Sequence, residues 1–364
     1  MTTKMDAQAF APPHPKPLPA LAALARTVWQ GDGDLLSLLP SYAYETPIRF
    51  IGYSRRQILI VNDPALVRRV MVEETELFPK SDLMVGALEP LVGDSLFVSG
   101  GEVWRRQRRI IDPSFSQLRV DAAFSDMDAA VSAYEARLAR YAQTNETFSL
   151  DLAMSHLTAD IICRTVFSTS LESNTAHEVF EDFMRFERAV AHVELKRLIF
   201  GRAWAPAPQN PDVLAACARI RGHIGDLLDP HLNADGGANI AASVANAVDP
   251  ETNTRFSREE LIDQLGVFFL AGHETTASAL TWVFYILGRE AGVAARLREE
   301  VDQAEADGPL DSAAVKRLSY ARNVFKEALR LYPPITFVPR VAARPCQLGQ
   351  YKLRRGAMVM VAPW

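Results

Sequence analysis

The stretch Leu265-Gly-Val-Phe-Phe-Leu-Ala-Gly-His-Glu-Thr-Thr-Ala-Ser-Ala-Leu280 decides how the rest of this chain is read. From Gln264 to Gly288 nearly every residue is apolar, small or hydroxylated, and Glu274 is the only acid or base of full charge. Apolar character all round marks a buried helix rather than an amphipathic one. The start is well defined, because Ser257 and Glu260 fit the N-cap and N3 positions of a capping box. Continued to about Ala291, such a helix is roughly 50 Å long and would cross an entire domain. Desolvating Glu274 at its middle is costly and needs compensation. Gly272 removes a side chain beside the acid and allows close approach to the backbone, while Thr275 and Thr276 bring hydroxyls able to relay a proton. The grouping suggests proton-delivery chemistry inside an apolar wall. A plain core helix whose Glu274 meets a buried partner is the simpler alternative. A membrane span has the right length, but Arg255, Arg258, Glu259, Glu260 and Asp263 crowd its amino side, no second segment resembles it, and an acid at the midpoint makes a poor anchor.

Around this helix lies a chain of 364 residues, 48% hydrophobic, able to bury a large core. A net charge of −5 gives no reason to expect a nucleic-acid partner. The three cysteines, Cys163, Cys217 and Cys346, are too scattered for a disulfide framework or a paired-cysteine zinc site, and fit a reducing cytoplasm. The Pro-rich residues 1–30 lack the apolar core of a signal peptide and read as an N-terminal extension to one domain over 31–364. Strands are predicted from Ile48 and Gln57, flanking the turn-prone Ser54-Arg-Arg, and at 336–343, 347–354 and 357–362. Helical patterns occupy 64–74, 101–111, 120–142, 149–168, 174–199, 210–230, 257–291, 292–306 and 319–332. Residues 233–253 read as a loop with one short helix. The predicted fold is mainly α, with a small β region drawn from both ends of the chain.

Two further motifs stand out. In Tyr320-Ala-Arg-Asn-Val-Phe-Lys-Glu-Ala-Leu-Arg-Leu-Tyr-Pro-Pro334, Glu327 and Arg330 share a helix flank, and an apolar strand containing Arg340 follows the prolines. Taken alone this is an ordinary exposed helix pair. In Gly101-Glu-Val-Trp-Arg-Arg-Gln-Arg-Arg109, Trp104 and Arg108 at i, i+4 present an indole N–H and a guanidinium to one point, an arrangement suited to a carboxylate or phosphate. A solvated basic face anchored by its Trp is the alternative.

In this order and at this spacing the three motifs resemble the cytochrome P450 superfamily of haem-thiolate monooxygenases. Ala271-Gly-His-Glu-Thr-Thr276 is similar to the family's central-helix motif, Glu327-x-x-Arg330 to the helix before its ligand region, and Trp104-x-x-x-Arg108 to the helix that holds a haem propionate. The resemblance, running from about Ile48 onward, implies a P450 fold and haem b as cofactor. It implies that Glu274 and Thr275 deliver protons for O–O cleavage and that Gly272 leaves room for dioxygen. Trp104, Arg108 and Arg340 would bind the propionates, and Glu327 and Arg330 would form a buried structural pair. The segment from Ser81 to Val98, with Phe269, Leu270, Ile335 and Val338, would line a pocket for an apolar small molecule. Electrons would come from a ferredoxin or flavoprotein, with Arg105 and Arg109 as candidates for docking it, and no membrane anchor is expected.

The family's iron ligand is a cysteine in a Phe-x-x-Gly-x-x-x-Cys-x-Gly loop, and no such loop occurs here. Cys163 and Cys217 read as small apolar helix positions, Cys346 lies where the family has a β-hairpin, and His273 belongs to the distal helix. No metal ligand is therefore assigned. The expectation is a P450 fold incomplete at its C-terminus, a fragment of a monooxygenase that is inactive by itself. The alternative is a non-catalytic helical scaffold that binds an apolar ligand or a protein partner.

Overall fold

The computed structural model describes residues 39–51, 55–190, 201–205, 209–232 and 239–362, together with Leu18, Pro19, Ala22 and Ala25. The proposed extension over 1–30 thus lies almost wholly outside the described residues. The longer helices are α1 (Asp82–Val92), α2 (Gly101–Ile111), α3 (Phe124–Thr144), α4 (Leu150–Phe167), α5 (Asn174–Val190), α6 (Pro211–Leu228), α7 (Arg258–Arg289), α8 (Ala291–Ala306) and α9 (Ser319–Leu331). The strands are β1 (Ile48–Phe50), β2 (Ile58–Val61), β3 (Val338–Val341), β4 (Cys346–Leu348), β5 (Tyr351–Leu353) and β6 (Met358–Val361).

The capping box forms as the sequence predicts. The Glu260 amide donates to Ser257 Oγ at 3.2 Å and the Ser257 amide to Glu260 Oε2 at 2.8 Å. From this start α7 runs through the main core, where Leu261, Leu265 and Phe269 pack with Leu91 and Val92 of α1, Phe180, Phe183 and Phe186 of α5, and Ile220 and Ile224 of α6. Phe183 stacks on Phe269 with ring centroids 4.5 Å apart. Each such fully buried ring contributes roughly 1.5–3 kcal/mol.

Strands from the two ends of the described chain complete a mixed sheet of order β1-β2-β6-β3. At its centre β2 and β6 run parallel, with Ile58 opposite Met358 and Val61 opposite Val361. Both are buried along their whole length, as expected of parallel strands covered on two faces. Alternate residues serve opposite layers: Ile58, Ile60, Met358 and Met360 enter one cluster, and Leu59, Val61, Val359 and Val361 the other.

Three expectations change. The strand predicted over 347–354 is the hairpin β4–β5, which turns at Gly349 with φ of +56°. The helix predicted over 120–142 is divided into Gln117–Ala122 and α3. Helix α1 was read only as a pocket-lining segment, because Gly86 and Pro90 within it mask its helical pattern. Of the helix expected over 174–199, only the part to Val190 lies within the described residues. No helix among the described residues is long and apolar enough to cross a membrane.

Candidate active site

Gly272, His273, Glu274 and Thr275 follow one another on α7 and face different surroundings. Gly272 turns toward α4, where an added Cβ would lie 2.3 Å from Ile162 Cδ1. Its missing side chain thus serves the close approach of two helices. Close by, Thr158 Oγ1 of α4 donates to the His273 carbonyl at 3.0 Å. His273 has no exposed surface, and its Nδ1 stands 3.4 Å from Oε1 of Glu187 on α5.

Glu274 is exposed to solvent, while packed protein still surrounds much of its side chain. That burial, with the nearby charge of Glu187, pushes the carboxyl up to about 7, against the pull of His273. Next to it the Thr275 hydroxyl donates to the Ala271 carbonyl at 2.6 Å. Back-bonding of this kind loosens the helix locally and leaves the hydroxyl oxygen free to accept. A carboxyl near neutrality beside a hydroxyl, on an otherwise apolar helix, is able to hold and pass a proton at pH 7.

A second group of charges lies at the sheet. Arg340 on β3 is largely desolvated, which lowers its pKa, and its guanidinium donates to the neighbouring Pro339 carbonyl at 3.2 Å. Lys80, paired with Arg340 in an isolated β-bridge, donates to the Leu96 carbonyl and to the Ser99 carbonyl at 2.7 Å. Burial and the charge of Arg340 press the Lys80 ammonium down to about 8, with Asp94 opposing. Among the described residues neither cation has an ion-pair partner. Two crowded, part-desolvated cations without a carboxylate in contact form a seat for an anion. A cofactor with paired carboxylates fits that seat. Sequence reasoning found Arg340 and missed Lys80, whose only signal was an isolated charge in Phe78-Pro-Lys-Ser81.

Trp104 and Arg108 meet as predicted, the guanidinium carbon 5.9 Å from the indole centroid. Both remain well exposed, and Arg108 pairs with Asp112 at 2.7 Å; neither bonds to Arg340. Glu327 and Arg330 also meet, at 2.6 and 2.8 Å, but their side chains are 55% and 66% exposed. The expectation of a buried pair is corrected on this point: α9 buries Val324 and Ala328, and the pair projects from another flank. The docking role sketched for Arg105 and Arg109 meets a similar difficulty. Arg109 is held bidentately by the fully buried Asp249 at 2.7 and 3.1 Å, and Arg105 pairs with Glu102 and Glu76. Of the expected pocket wall, Leu88, Leu96, Phe97, Val98 and Leu270 are partly buried and pack against the main core. Phe269 is interior core, Val338 packs with the sheet layer and Ile335 is exposed.

The three thiols lie in apolar surroundings. Cys163 and Cys217 are buried in the helical core, where desolvation pushes their pKa values up to about 12 and about 11. Cys346 packs against the sheet, and its thiol is raised in the same direction. None of the three favours the thiolate form that binds metal.

Comparison with known proteins accords with this geometry. Cyclooctatin synthase of Streptomyces melanosporofaciens is 28% identical over 340 residues, 90% of this chain and 70% of that protein. Cyclooctat-9-en-7-ol 5-monooxygenase of the same organism is 29% identical, over 92% of this chain and 71% of that protein. The Arabidopsis thaliana protein LUTEIN DEFICIENT 5 is 27% identical, and the chain spans 55% of its length. The fold matches the crystal structure of the cytochrome P450DA heme domain with a TM-score of 0.77 at 23% identity, covering 96% of this chain and 78% of that one. The sequence profile described as Cytochrome P450 matches residues 12–364. A long apolar helix bearing an acid and a hydroxyl, a pair of unpaired cations at the sheet and this family match lead to one conclusion: the chain belongs to the cytochrome P450 family of haem monooxygenases.

Proposed function

We propose that this chain carries the oxygen-side wall and the carboxylate seat of a haem monooxygenase that hydroxylates an apolar small molecule. The observation that carries the reading is Glu274, an acid held near neutrality beside the Thr275 hydroxyl on an apolar helix. Haem, when bound, supplies the activation of dioxygen. Arg340 and Lys80 would hold its carboxylates, with Trp104 and Arg108 as further candidates, and the apolar side chains around Leu96, Phe97 and Leu270 would exclude water. Glu274 takes a proton from solvent and passes it through the Thr275 hydroxyl to the reacting oxygen. The names of the Streptomyces relatives, one of which acts on cyclooctat-9-en-7-ol, support an apolar, ring-bearing substrate. Electrons would arrive from a ferredoxin or flavoprotein.

Replacing Glu274 by Gln or Thr275 by Ala in the haem-loaded, full-length enzyme is expected to lower turnover about 100-fold while substrate affinity stays unchanged. Parental turnover in both variants would overturn the assignment. We further propose that this polypeptide alone provides no thiolate to haem iron, since Cys163 and Cys217 are buried in the helical core and Cys346 packs against the sheet. A spectrum of the reduced, carbon-monoxide-treated chain should lack the long-wavelength Soret band of thiolate ligation. Its presence would refute the claim.

A further inference from the structure

Beside the proton-carrying acid lies a set of polar groups that the proposed chemistry does not use. His273 is fully buried, with its ring 5.4 Å from that of Phe180 and 5.9 Å from that of Phe269. Neither of its nitrogens has a hydrogen-bond partner, and the buried carboxylate of Glu187 meets only acceptor groups unless the Glu274 carboxyl brings a proton to it. The 3.4 Å approach of His273 Nδ1 to Glu187 Oε1 is close, yet not aligned as a hydrogen bond. Glu274 completes the group: one donor atom from each of Glu187, His273 and Glu274 lies within 4.8 Å of the other two. A buried polar atom left without a partner costs about 1–3 kcal/mol, and an ion between His273 Nδ1 and Glu187 would meet the two that face each other.

We propose that Glu187, His273 and Glu274 form a binding site for a zinc-class divalent ion that joins α5 to α7. A nitrogen and an oxygen about 3.4 Å apart span one edge of a tetrahedron whose metal–ligand bonds are about 2.1 Å. His273 and Glu187 already have that separation, and Glu274 closes on the same point by rotating its side chain. One imidazole with two carboxylates leaves the fourth position to water. An imidazole and so few oxygens suit zinc and its neighbours rather than calcium or magnesium. Two carboxylates and a neutral imidazole carry two negative charges, which the ion cancels. The ion would pin α5 against α7 and occupy Glu274. Slower proton delivery as a result rests on the function proposed above; binding of the ion does not.

The test is equilibrium dialysis of the haem-loaded protein against Zn²⁺, with bound metal counted by mass spectrometry and without any measurement of turnover. The expected result is one zinc per chain. Affinity should fall by more than ~10-fold, the loss that follows even from altering an outer-shell partner, in both His273→Ala and Glu187→Gln. Glu187→Gln preserves shape and guards against a variant that fails to fold. Zinc should also raise the melting temperature of the parent and not of Glu187→Gln. Absence of stoichiometric zinc in the parent, or equal uptake by a folded Glu187→Gln protein, would overturn the site. The first result would mean that the three groups satisfy one another by sharing a proton, and the second that zinc sits on other histidines.

Discussion

The first turns of α7 and its centre handle charge in opposite ways. At the start, Arg258 pairs with Asp229, Glu260 with Arg106, and Glu259 and Asp263 with Arg221. Each pair ties α7 to another part of the chain. At the centre, His273 and Glu274 face a further acid, Glu187, with Asp151 and His156 also near, and the buried polar atoms of His273 and Glu187 are without a basic partner. Both arrangements place charge in a largely apolar helix. The difference is that paired charge fixes architecture, whereas unpaired charge stays available to a proton or a ligand. The division follows from what each charge can reach: arginines ring the beginning of α7, and apolar and aromatic side chains ring its middle.

The comparison can be broken most severely at the paired end. Arg221→Met leaves Asp263, whose side chain is 11% exposed, without its guanidinium. It should cost about 3 kcal/mol in denaturant unfolding, the lower range for stranding a buried charge; a value near zero would show that these pairs are not architectural. The centre should behave in the reverse way. Glu274→Gln, expected to lower turnover about 100-fold, should leave the melting temperature unlowered, because it removes a carboxyl that burial already disfavours as an anion.

The pH dependence sharpens the same point. The Glu274 carboxyl, raised from an ordinary 4.5 to about 7, binds its proton more tightly in the folded state. Its contribution to stability therefore declines as pH rises from 4.5 to about 7. Turnover that relies on the protonated acid should fall through the same upper limit, and that inflection should vanish in Glu274→Gln. A smaller effect is expected beside the site. Gly272→Ala, which sets a Cβ against the mobile end of Ile162, should cost about 1 kcal/mol, and Ile162→Ala should restore much of it in the double variant. The smallest effect is expected at α9, where Glu327→Gln should leave the melting temperature of this chain unchanged because its arginine partner is open to water.

Much of this was legible in the residues. The capping box, the reach of α7, the helix of Trp104 and Arg108, and the sheet built from both ends of the chain all follow from local signals of spacing and punctuation. What stayed hidden depends on contacts between distant segments. Nothing around Gly272 reveals that Ile162 fills the space beside it. Nothing near Lys80 reveals that Arg340, far along the chain, presses on it. The carboxylate on α5 that faces His273 is one of many acids on that helix in sequence, and only the packing of α5 on α7 singles out Glu187. The exposure of Glu327 and Arg330 was misjudged for the same reason, since a helix pair shows its spacing in sequence but not what covers it.

The central strands of the sheet bear on how this chain comes into being. Arg56, the residue that leads into β2, donates to the Gly356 carbonyl across 300 positions of sequence, and β2 finds its parallel neighbour only when β6 exists. At ribosomal rates of about 5–20 residues per second, Ile58 emerges roughly 15–60 s before Met358. Throughout that interval one edge of a fully apolar strand is open, which makes the nascent chain a natural client for chaperones.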